Sequence, residues 1–361
     1  MKIGILTFHC AHNYGAVLQC YATQEFLRSK GFDVEIINYR PQFLLEPYKI
    51  LNSKRVLCKR PILFIKKLLK EILFFRLRYK RWKGFEKFIN THLILSERFD
   101  KISIPSRYDI YIVGSDQIWN NKITNGDDVY FCKFPFEKGN KKYISYAASM
   151  ETTTLDNNTS YKNLLNSFDA ISVREENIQA LLTPYTNLTI QHVLDPTLMA
   201  SSKIWESLPS KTRNKDKYVV VYQVAENKNT IRIARHIANQ IGAKVKILVA
   251  WIGRNTSEKF QDATPEEFVD TIRNAACIVT TSFHGTAFSV IFNRPFYTIK
   301  LNNGWDTRSS SLLNSIGLKN RIIDKNDSPQ FSTIDYSHVN EKLEILQKES
   351  QDFILNQLNP N

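Results

Sequence analysis

The stretch from Cys277 to Pro295 holds a single histidine, His284, at the point where its hydrophobic pattern changes period. Its first residues predict a buried strand, and the apolar residues after Ser282 recur at helical spacing. A helix that begins directly after a parallel strand points its free N–H groups and positive dipole end at the crevice above the sheet, where phosphate and carboxylate groups bind. We therefore expect an anion site at this turn, with Ser282 as the N-cap and Gly285 allowing close approach. The alternative is a histidine that is only structural or solvated.

Other predicted strands also end in polar side chains. The strand at 108–113 leads into Gly-Ser-Asp-Gln at 114–117, and the strand at 170–173 leads into Arg174. A long polar loop, 9–15, follows the first strand. Ligands of open α/β sheets bind at the carboxyl ends of the strands, so these clusters are expected to line one crevice. The loop lacks the G-x-G-x-x-G sequence, and we do not predict NAD binding.

The elements that must position these residues alternate as in α/β proteins. A strand at 1–8, a helix at 17–30 and a strand at 34–39 form a β-α-β unit, and a second alternation starts at Lys217. We predict an α/β fold with two domains that have parallel sheets, at residues 1–200 and 201–338. The last helix, 339–361, is expected to cross back to the first domain.

Composition restricts the class of protein. With 361 residues, 43% of them hydrophobic, the chain suits two globular domains of roughly 150–200 residues each. Its five cysteines are scattered, without a Cys-x-x-Cys pair or a Cys/His cluster at zinc spacing, which indicates reduced thiols. No signal peptide is recognisable, and no apolar stretch reaches the about 18 residues that span a bilayer. We predict a cytoplasmic protein.

The positive charge of the chain is concentrated in one segment. From Lys54 to Lys83 twelve basic residues stand against Glu71 alone, which gives +11 of the formal net charge of +14. The same segment, within a helical region at 54–90, carries a broad apolar face. This pattern indicates an amphipathic helix that binds the anionic inner face of the membrane. The alternative is a core helix with a solvated lysine face.

Seven short segments carry a family resemblance over residues 3 to about 318. The chain resembles the polysaccharide pyruvyl transferase family, which implies two Rossmann-like domains in a GT-B-like arrangement with the active site in the interdomain cleft. It also implies transfer of pyruvyl from phosphoenolpyruvate to a sugar as a ketal, without a tightly bound cofactor. The segments are Ile5-Leu-Thr-Phe-His9, Asn13-Tyr-Gly-Ala-Val-Leu-Gln19, Tyr39-Arg-Pro41, Val113-Gly-Ser-Asp-Gln-Ile-Trp-Asn120, Ser172-Val-Arg-Glu175, Leu194-Asp-Pro-Thr197 and Ser282-Phe-His-Gly285.

The resemblance assigns the donor to the second domain and to two residues above all, Arg174 and His284. The guanidinium group of an arginine can bind two oxygens of a carboxylate or phosphate at once, which suits Arg174 to the donor. The alternative is that Arg174 only pairs with Glu175. His284 is expected either to bind phosphate as imidazolium or to protonate the leaving oxygen. Some family members carry a lysine where this chain has Gly304. The expected donor-binding residues are Arg174, Ser282, Phe283, His284 and Gly285, with Lys300 or Arg308 in the role of that lysine.

The acceptor is expected on the first domain. Asp116 is predicted either to act as the general base for the acceptor hydroxyl or to hold that hydroxyl in place by a hydrogen bond. The alternative is that its side chain only caps the next turn. Asp195, before a proline, is interpreted mainly as a turn residue. Asp127 and Asp128 lack the spacing of a sugar-nucleotide metal site, so no structural metal is predicted, although a loosely bound divalent cation is compatible with the sequence. The expected acceptor-binding residues are Asn13, Tyr14, Gln19, Gln117 and Trp119, the last as a stacking platform.

These observations predict a pyruvyl transferase that acts on a sugar of a cell-surface polysaccharide, such as a capsule or exopolysaccharide, or on its lipid-linked precursor. The expected partners are phosphoenolpyruvate, the sugar acceptor and a membrane surface at 54–83, and not nucleic acid. A GT-B glycosyltransferase that uses a nucleotide sugar is the alternative, because fold alone does not decide function. A non-enzymatic basic module for membrane or nucleic acid is a second alternative, although it would need no crevice.

Overall fold

The structure of the protein is a computed structural model that describes most of the chain. The described residues are 1–50, 68–69, 71–150, 154–155, 160–209, 216–224, 227–249, 252, 259–301 and 307–359.

The first domain is built on a seven-stranded sheet in which every described pairing is parallel. The strand order is β3-β2-β1-β4-β5-β6-β7, so the winding reverses between β1 and β4. Ligands of doubly wound sheets bind beside such a reversal. The strands are β1 Lys2–Leu6, β2 Asp33–Tyr39, β3 Leu95–Phe99, β4 Ile110–Val113, β5 Lys142–Ala148, β6 Ala170–Val173 and β7 Ile190–His192.

The second domain repeats this winding in a six-stranded parallel sheet of order β10-β9-β8-β11-β12-β13. Its central strands are apolar on both faces, as sheets covered by helices on both sides require. The prediction of two Rossmann-like domains with parallel sheets is therefore confirmed. The strands are β8 Tyr218–Gln223, β9 Lys244–Val249, β10 Lys259–Phe260, β11 Cys277–Thr280, β12 Phe296–Ile299 and β13 Ile322–Ile323.

Helices cover both sheets and connect their strands. Among the described residues, no helix combines the length and hydrophobicity that crossing a bilayer requires. The helices are α1 Tyr14–Ser29, α2 Gln42–Leu45, α3 Phe75–His92, α4 Asn121–Thr124, α5 Tyr161–Leu165, α6 Glu176–Leu182, α7 Pro196–Met199, α8 Lys203–Glu206, α9 Lys228–Gln240, α10 Pro265–Arg273, α11 Phe283–Ile291, α12 Thr307–Ser315 and α13 Ser337–Leu358.

The two domains meet through a continuous apolar core. The ring of Tyr14, at the start of α1, stacks on Phe268 of α10 with centroids 4.4 Å apart, and its hydroxyl donates to the Ala263 carbonyl at 2.8 Å. Arg81 of α3 lies over the Tyr14 ring and donates to the Val249 carbonyl at 2.7 Å. Helices α1 and α3 of the first domain are thus packed directly against the second, in the predicted GT-B-like arrangement.

The last helix, α13, returns to the first domain. Gln347 donates to the Leu198 carbonyl at 2.6 Å, and the Leu194 amide donates to the Ser350 hydroxyl at 2.9 Å. Both contacts lie beside α7, so α13 supports the chain segment that follows β7.

The basic segment 54–83 is only partly described. Residues 51–67 and 70 lie outside the described residues, and with them Lys66, Lys67 and Lys70, on which the amphipathic prediction depends. In the described part, Arg81 faces inward, whereas Leu69, Ile72 and Leu73 are largely exposed. The segment therefore includes apolar surface that the rest of the fold does not cover.

Candidate active site

The carboxyl end of β6 places a buried arginine between the two domains. Arg174 Nη1 donates to Asp195 Oδ2 at 2.6 Å, and Nε donates to Glu175 Oε1 at 3.3 Å. The guanidinium lies 4.8 Å from the ring centroid of Phe283, which belongs to the second domain. Among the described residues Nη2 has no hydrogen-bond partner, and it lies 3.7 Å from Asp116 Oδ1. The arginine is thus fixed on two sides and keeps one donor free.

Asp195 holds this arginine in place. It caps α7, with Oδ1 accepting hydrogen bonds from the amide and the hydroxyl of Thr197 at 2.9 and 2.7 Å, and its side chain is fully buried. Burial alone would raise the pKa of Asp195, but His284 and Arg174 outweigh it and hold the pKa well below the usual range. The carboxylate therefore stabilises the fold at neutral pH and loses this contribution only as the pH falls below about 4. The interpretation of Asp195 as mainly a turn residue was incomplete, because the same side chain also binds Arg174.

His284 lies in the first turn of α11. Strand β11 ends at Thr280 and α11 begins at Phe283 with Ser282 as the N-cap residue, so the predicted change from strand to helix is confirmed. The Ser282 side chain makes no capping bond; instead its amide donates to Thr280 Oγ1 at 3.0 Å. His284 Nε2 is buried, has no hydrogen-bond partner among the described residues and lies 3.8 Å from Asp195 Oδ2. The two residues implied for the donor are therefore brought to the same carboxylate.

The first turn of α1 forms the other wall of the histidine site. A Cβ added to Gly15 would lie 2.0 Å from His284 Nδ1, which no side chain tolerates. Asn13 fixes this turn by accepting hydrogen bonds from the amides of Gly15 and Ala16 at 2.9 and 3.3 Å. The imidazole is thus held between helices of the two domains, with Nδ1 toward Gly15 and Nε2 toward Asp195.

We expect Gly15→Ala to reduce turnover at least tenfold, because the added methyl group must push the imidazole out of its position. The variant and the wild type are compared by initial rates and by thermal melting. Gly84→Ala is the matched control: its Cβ would lie 2.7 Å from Thr264 Cγ2, also across the domain interface but away from His284. Equal loss of turnover in both variants would show that only general overpacking is at work.

Asp116 lies in a strained turn after β4. Its φ of 72° is unusual for a residue other than glycine. Such a backbone conformation costs about 1–3 kcal/mol, and residues that adopt it cluster at functional sites. The preceding Gly114 is required because a Cβ there would lie 2.1 Å from the Tyr146 carbonyl oxygen. The Asp116 carboxylate is 15% exposed and, among the described residues, makes no hydrogen bond to the turn that follows. The described residues thus show no capping by this side chain, and the role of Asp116 at the acceptor stays a prediction.

Four residues expected at the acceptor serve the scaffold instead. Trp119 is 1% exposed, donates to the Tyr130 carbonyl at 2.9 Å and stacks on Phe131. The prediction of Trp119 as a sugar platform is wrong, because neither face of the indole is open. Tyr14 lies in the domain interface, as described above. Gln19 is buried and accepts a hydrogen bond from the Ser115 amide at 3.1 Å, and Gln117, also buried, accepts one from Asn120.

The two residues expected to replace the family lysine lie in different surroundings. Lys300 follows β12 with an exposed side chain. Arg308, in α12, lines a pocket together with Arg174, Phe283 and Asp195, and Lys300 is not among the residues that line it. The structure therefore brings Arg308 to the pocket of the buried arginine. Gly304 lies outside the described residues.

A second polar cluster surrounds the loop after β1. His9 Nε2 lies 3.1 Å from Asn38 Oδ1, and burial lowers the pKa of His9 to about 4. His12 Nε2 lies 2.9 Å from Glu86 Oε1, and Arg40 Nη1 lies 3.5 Å from the other oxygen of this carboxylate. Sequence analysis noted the polarity of this loop but did not identify its partner Glu86, which belongs to α3. Among the described residues, no group of three or more His, Cys, Asp or Glu side chains is arranged to hold a metal ion.

Comparison with solved structures finds full-length similarity at low sequence identity. UDP-GlcNAc 2-epimerase from Neisseria meningitidis bound to UDP-GlcNAc is 10% identical, with 99% of each chain covered and a TM-score of 0.49. The Methanocaldococcus jannaschii UDP-GlcNAc 2-epimerase in complex with UDP-GlcNAc and UDP is 12% identical, with 99% of each chain covered and a TM-score of 0.45. The spinosyn rhamnosyltransferase SpnG is 10% identical over 99% of this chain and 96% of its own, with a TM-score of 0.38.

Sequence comparison gives a specific result. No protein of curated function matches the chain. The family model for polysaccharide pyruvyl transferase matches residues 13–303, which include the α1 turn, Arg174 and the whole strand-to-helix turn at His284. The chain therefore belongs to the polysaccharide pyruvyl transferase family.

Proposed function

We propose that this protein transfers a pyruvyl group from phosphoenolpyruvate to a sugar of a cell-surface polysaccharide or its precursor. The observation that carries the proposal is a pair of buried nitrogens, Arg174 Nη2 and His284 Nε2, that have no hydrogen-bond partner among the described residues. A buried donor left unpaired costs about 1–3 kcal/mol, so such groups persist where a ligand accepts their hydrogen bonds. Phosphoenolpyruvate carries two groups, phosphate and carboxylate, that can do so.

An anion at this site would be held by directed hydrogen bonds and not by excess positive charge, because Glu175 and Asp195 already pair with the guanidinium. Burial would lower the pKa of Arg174, but Glu175 and Asp195 raise it further above its usual value, so the guanidinium stays charged. The ring of Phe283 supports its face, and α11 begins at Phe283, where the N-terminus of a helix favours an anion. In the proposed complex, Nη2 binds one oxygen of the donor and His284 another.

The reaction moves two protons, one from each acceptor hydroxyl. In the first step one hydroxyl attacks C2 of the enol phosphate and gives up its proton, and the methylene carbon gains one proton and becomes methyl. A second hydroxyl of the acceptor then attacks C2, phosphate departs with a proton, and the ketal forms. In this proposal Asp116, beside Arg174 Nη2, accepts the proton of the attacking hydroxyl. His284 either binds the phosphate as imidazolium or protonates the leaving oxygen.

The test is release of inorganic phosphate from phosphoenolpyruvate in the presence of a panel of sugar acceptors, with UDP-sugars assayed in parallel. We expect release that depends on the acceptor, together with an acceptor that gains one pyruvyl ketal by mass spectrometry. Release of UDP with glycosyl transfer would instead support the glycosyltransferase alternative. Inactivity with every acceptor, together with no binding of phosphoenolpyruvate by calorimetry, would overturn the proposal.

We also infer that the protein works at an anionic membrane surface. In the described part of the basic segment, Leu69, Ile72 and Leu73 are 61–75% exposed and are followed by Arg76 and Lys80, both exposed. Exposed apolar side chains beside basic ones are typical of helices that lie in the interface of anionic bilayers.

Replacing Leu69, Ile72 and Leu73 together by serine is expected to weaken binding to phosphatidylglycerol vesicles at least tenfold, because the apolar contact is lost. Ile345→Ser, at a similarly exposed position of α13, is the matched control. Sedimentation with vesicles at low and high salt measures the effect. Absence of wild-type binding to these vesicles would contradict the inference.

A further inference from the structure

A line of aromatic side chains runs inward from the surface of α3. The rings of Tyr79 and Trp82 are stacked, with centroids 6.3 Å apart and an interplanar angle of 21°. They are 45% and 37% exposed, among the most exposed aromatic side chains of the described residues. On its inner side Trp82 lies 6.3 Å from the imidazole of His12, which stacks on the buried ring of Phe85 at 5.1 Å. The exposed rings of Tyr79 and Trp82 thus form a flat apolar surface at the outer end of the line, and His12 and Phe85 connect this surface to the core at the inner end.

Hydrogen-bonding groups border the inner end of this line. His12 Nε2 and Glu86 Oε1 form a partly buried pair at 2.9 Å. Arg40 Nη1 lies 3.5 Å from the other carboxylate oxygen of Glu86. Tyr48 lies 5.9 Å from the His12 ring. Burial, followed by the charge of Asp116, raises the pKa of Tyr48, in keeping with a position of Tyr48 near that carboxylate.

The inner end of this line is linked to neighbours of the donor groups. His12 is three residues before Gly15, which touches the His284 ring. Asp116, whose charge acts on Tyr48, lies 3.7 Å from Arg174 Nη2. His12 and Tyr48 thus connect the aromatic line at Trp82 with the position proposed for transfer.

We propose that Trp82, extended by Tyr79, is the platform on which a sugar ring of the acceptor stacks, with the His12–Glu86 pair bonding its hydroxyls. A hexose presents C–H groups on its faces and hydroxyls around its edge, which matches an aromatic surface bordered by charged hydrogen-bonding groups. A lipid tail would match the flat rings but not the polar pair. The identification of this sugar as the acceptor depends on the function proposed above, whereas the binding of a sugar at Trp82 does not.

Sugar binding is tested without turnover by following indole N–H signals of protein labelled with nitrogen-15. The probes are methyl glycosides of glucose, galactose, mannose and N-acetylglucosamine, with glycerol as the polyol control. We expect at least one glycoside to shift the signal that Trp82→Phe removes, in a saturable manner, and glycerol to leave it in place. Failure of every glycoside to move this signal, in the presence and absence of phosphoenolpyruvate, overturns the platform.

Kinetics then separates this proposal from the function on which it depends. With an active acceptor, Trp82→Ala should raise the acceptor KM about tenfold or more and leave the KM for phosphoenolpyruvate and the melting temperature unchanged, while Trp82→Phe retains most of the affinity. Tyr185→Ala is the control, because Tyr185 is similarly exposed but lies beside Tyr161, away from this line. An unchanged acceptor KM in Trp82→Ala contradicts the platform alone. A glycoside that binds at Trp82 in an enzyme without phosphoenolpyruvate activity contradicts only the proposed reaction.

Discussion

Replacing His284 with asparagine is expected to lower turnover about 100- to 10,000-fold, the usual contribution of a positioned acid or base, and to leave the melting temperature almost unchanged. Nε2 contacts no hydrogen-bond partner in the described protein, so its removal leaves no buried group unpaired. Asparagine also keeps a polar atom near the position of Nδ1, beside Gly15. The loss should therefore fall on catalysis and not on the fold.

Phosphate release and thermal melting, measured on the same preparations, test this expectation. His338→Asn is the matched control, because His338 is exposed at the start of α13, where it pairs with Glu341. If His284→Asn unfolds the protein, or keeps turnover within a few-fold of the wild type, His284 is structural and the proposed donor site is wrong.

Replacing Arg174 with lysine is expected to weaken phosphoenolpyruvate binding tenfold or more, a loss of at least about 1.4 kcal/mol. A lysine can keep the contact with Asp195, which the arginine makes at 2.6 Å. It has no second side-chain nitrogen that could bind the donor at the same time. The hydrogen bond to Glu175 is lost as well. Arg174→Ala is less informative, because leaving these buried carboxylates without their cation costs about 3–5 kcal/mol and threatens the fold.

Isothermal calorimetry with phosphoenolpyruvate measures the effect, and melting shows how much stability is lost. Arg321→Lys provides the comparison: Arg321 is also buried, but it donates to the Ser332 and Thr333 carbonyls in the second domain. Both variants should lose stability, and only Arg174→Lys should lose affinity. Unchanged affinity in a folded Arg174→Lys protein would exclude Arg174 from the donor site.

The strand ends and the turn at His284 could be predicted because their signals are local. An apolar run followed by helical spacing specifies a strand and a helix within twenty residues, and parallel strands bring their carboxyl ends to one edge. Arg174 and Asp116 follow such strands directly. Their convergence on the cleft is therefore a consequence of sheet topology, which the alternation along the chain already indicates.

The partners within the site could not be predicted in the same way. The contact of Gly15 with His284 joins distant parts of the chain and leaves no periodic signal. In the sequence, the position of Trp119 after a strand is equally compatible with an exposed aromatic side chain. Its contacts with Phe131 and Tyr130 in the structure show that it is buried. Trp82 lies in a basic helix whose pattern indicated a membrane, so its proximity to His12 was not visible from the sequence.

The shared core between the domains has a consequence for the entropy of catalysis. Arg174 and His284 belong to different sheets, yet the stacking of Tyr14 on Phe268 ties those sheets together without any substrate. The relative placement of Arg174 and His284 is therefore set during folding. Aligning them costs conformational entropy, and the burial of apolar surface between the domains already offsets this cost. Binding of a small donor then does not have to bring two mobile lobes together, and more of its interaction energy remains for the chemical step.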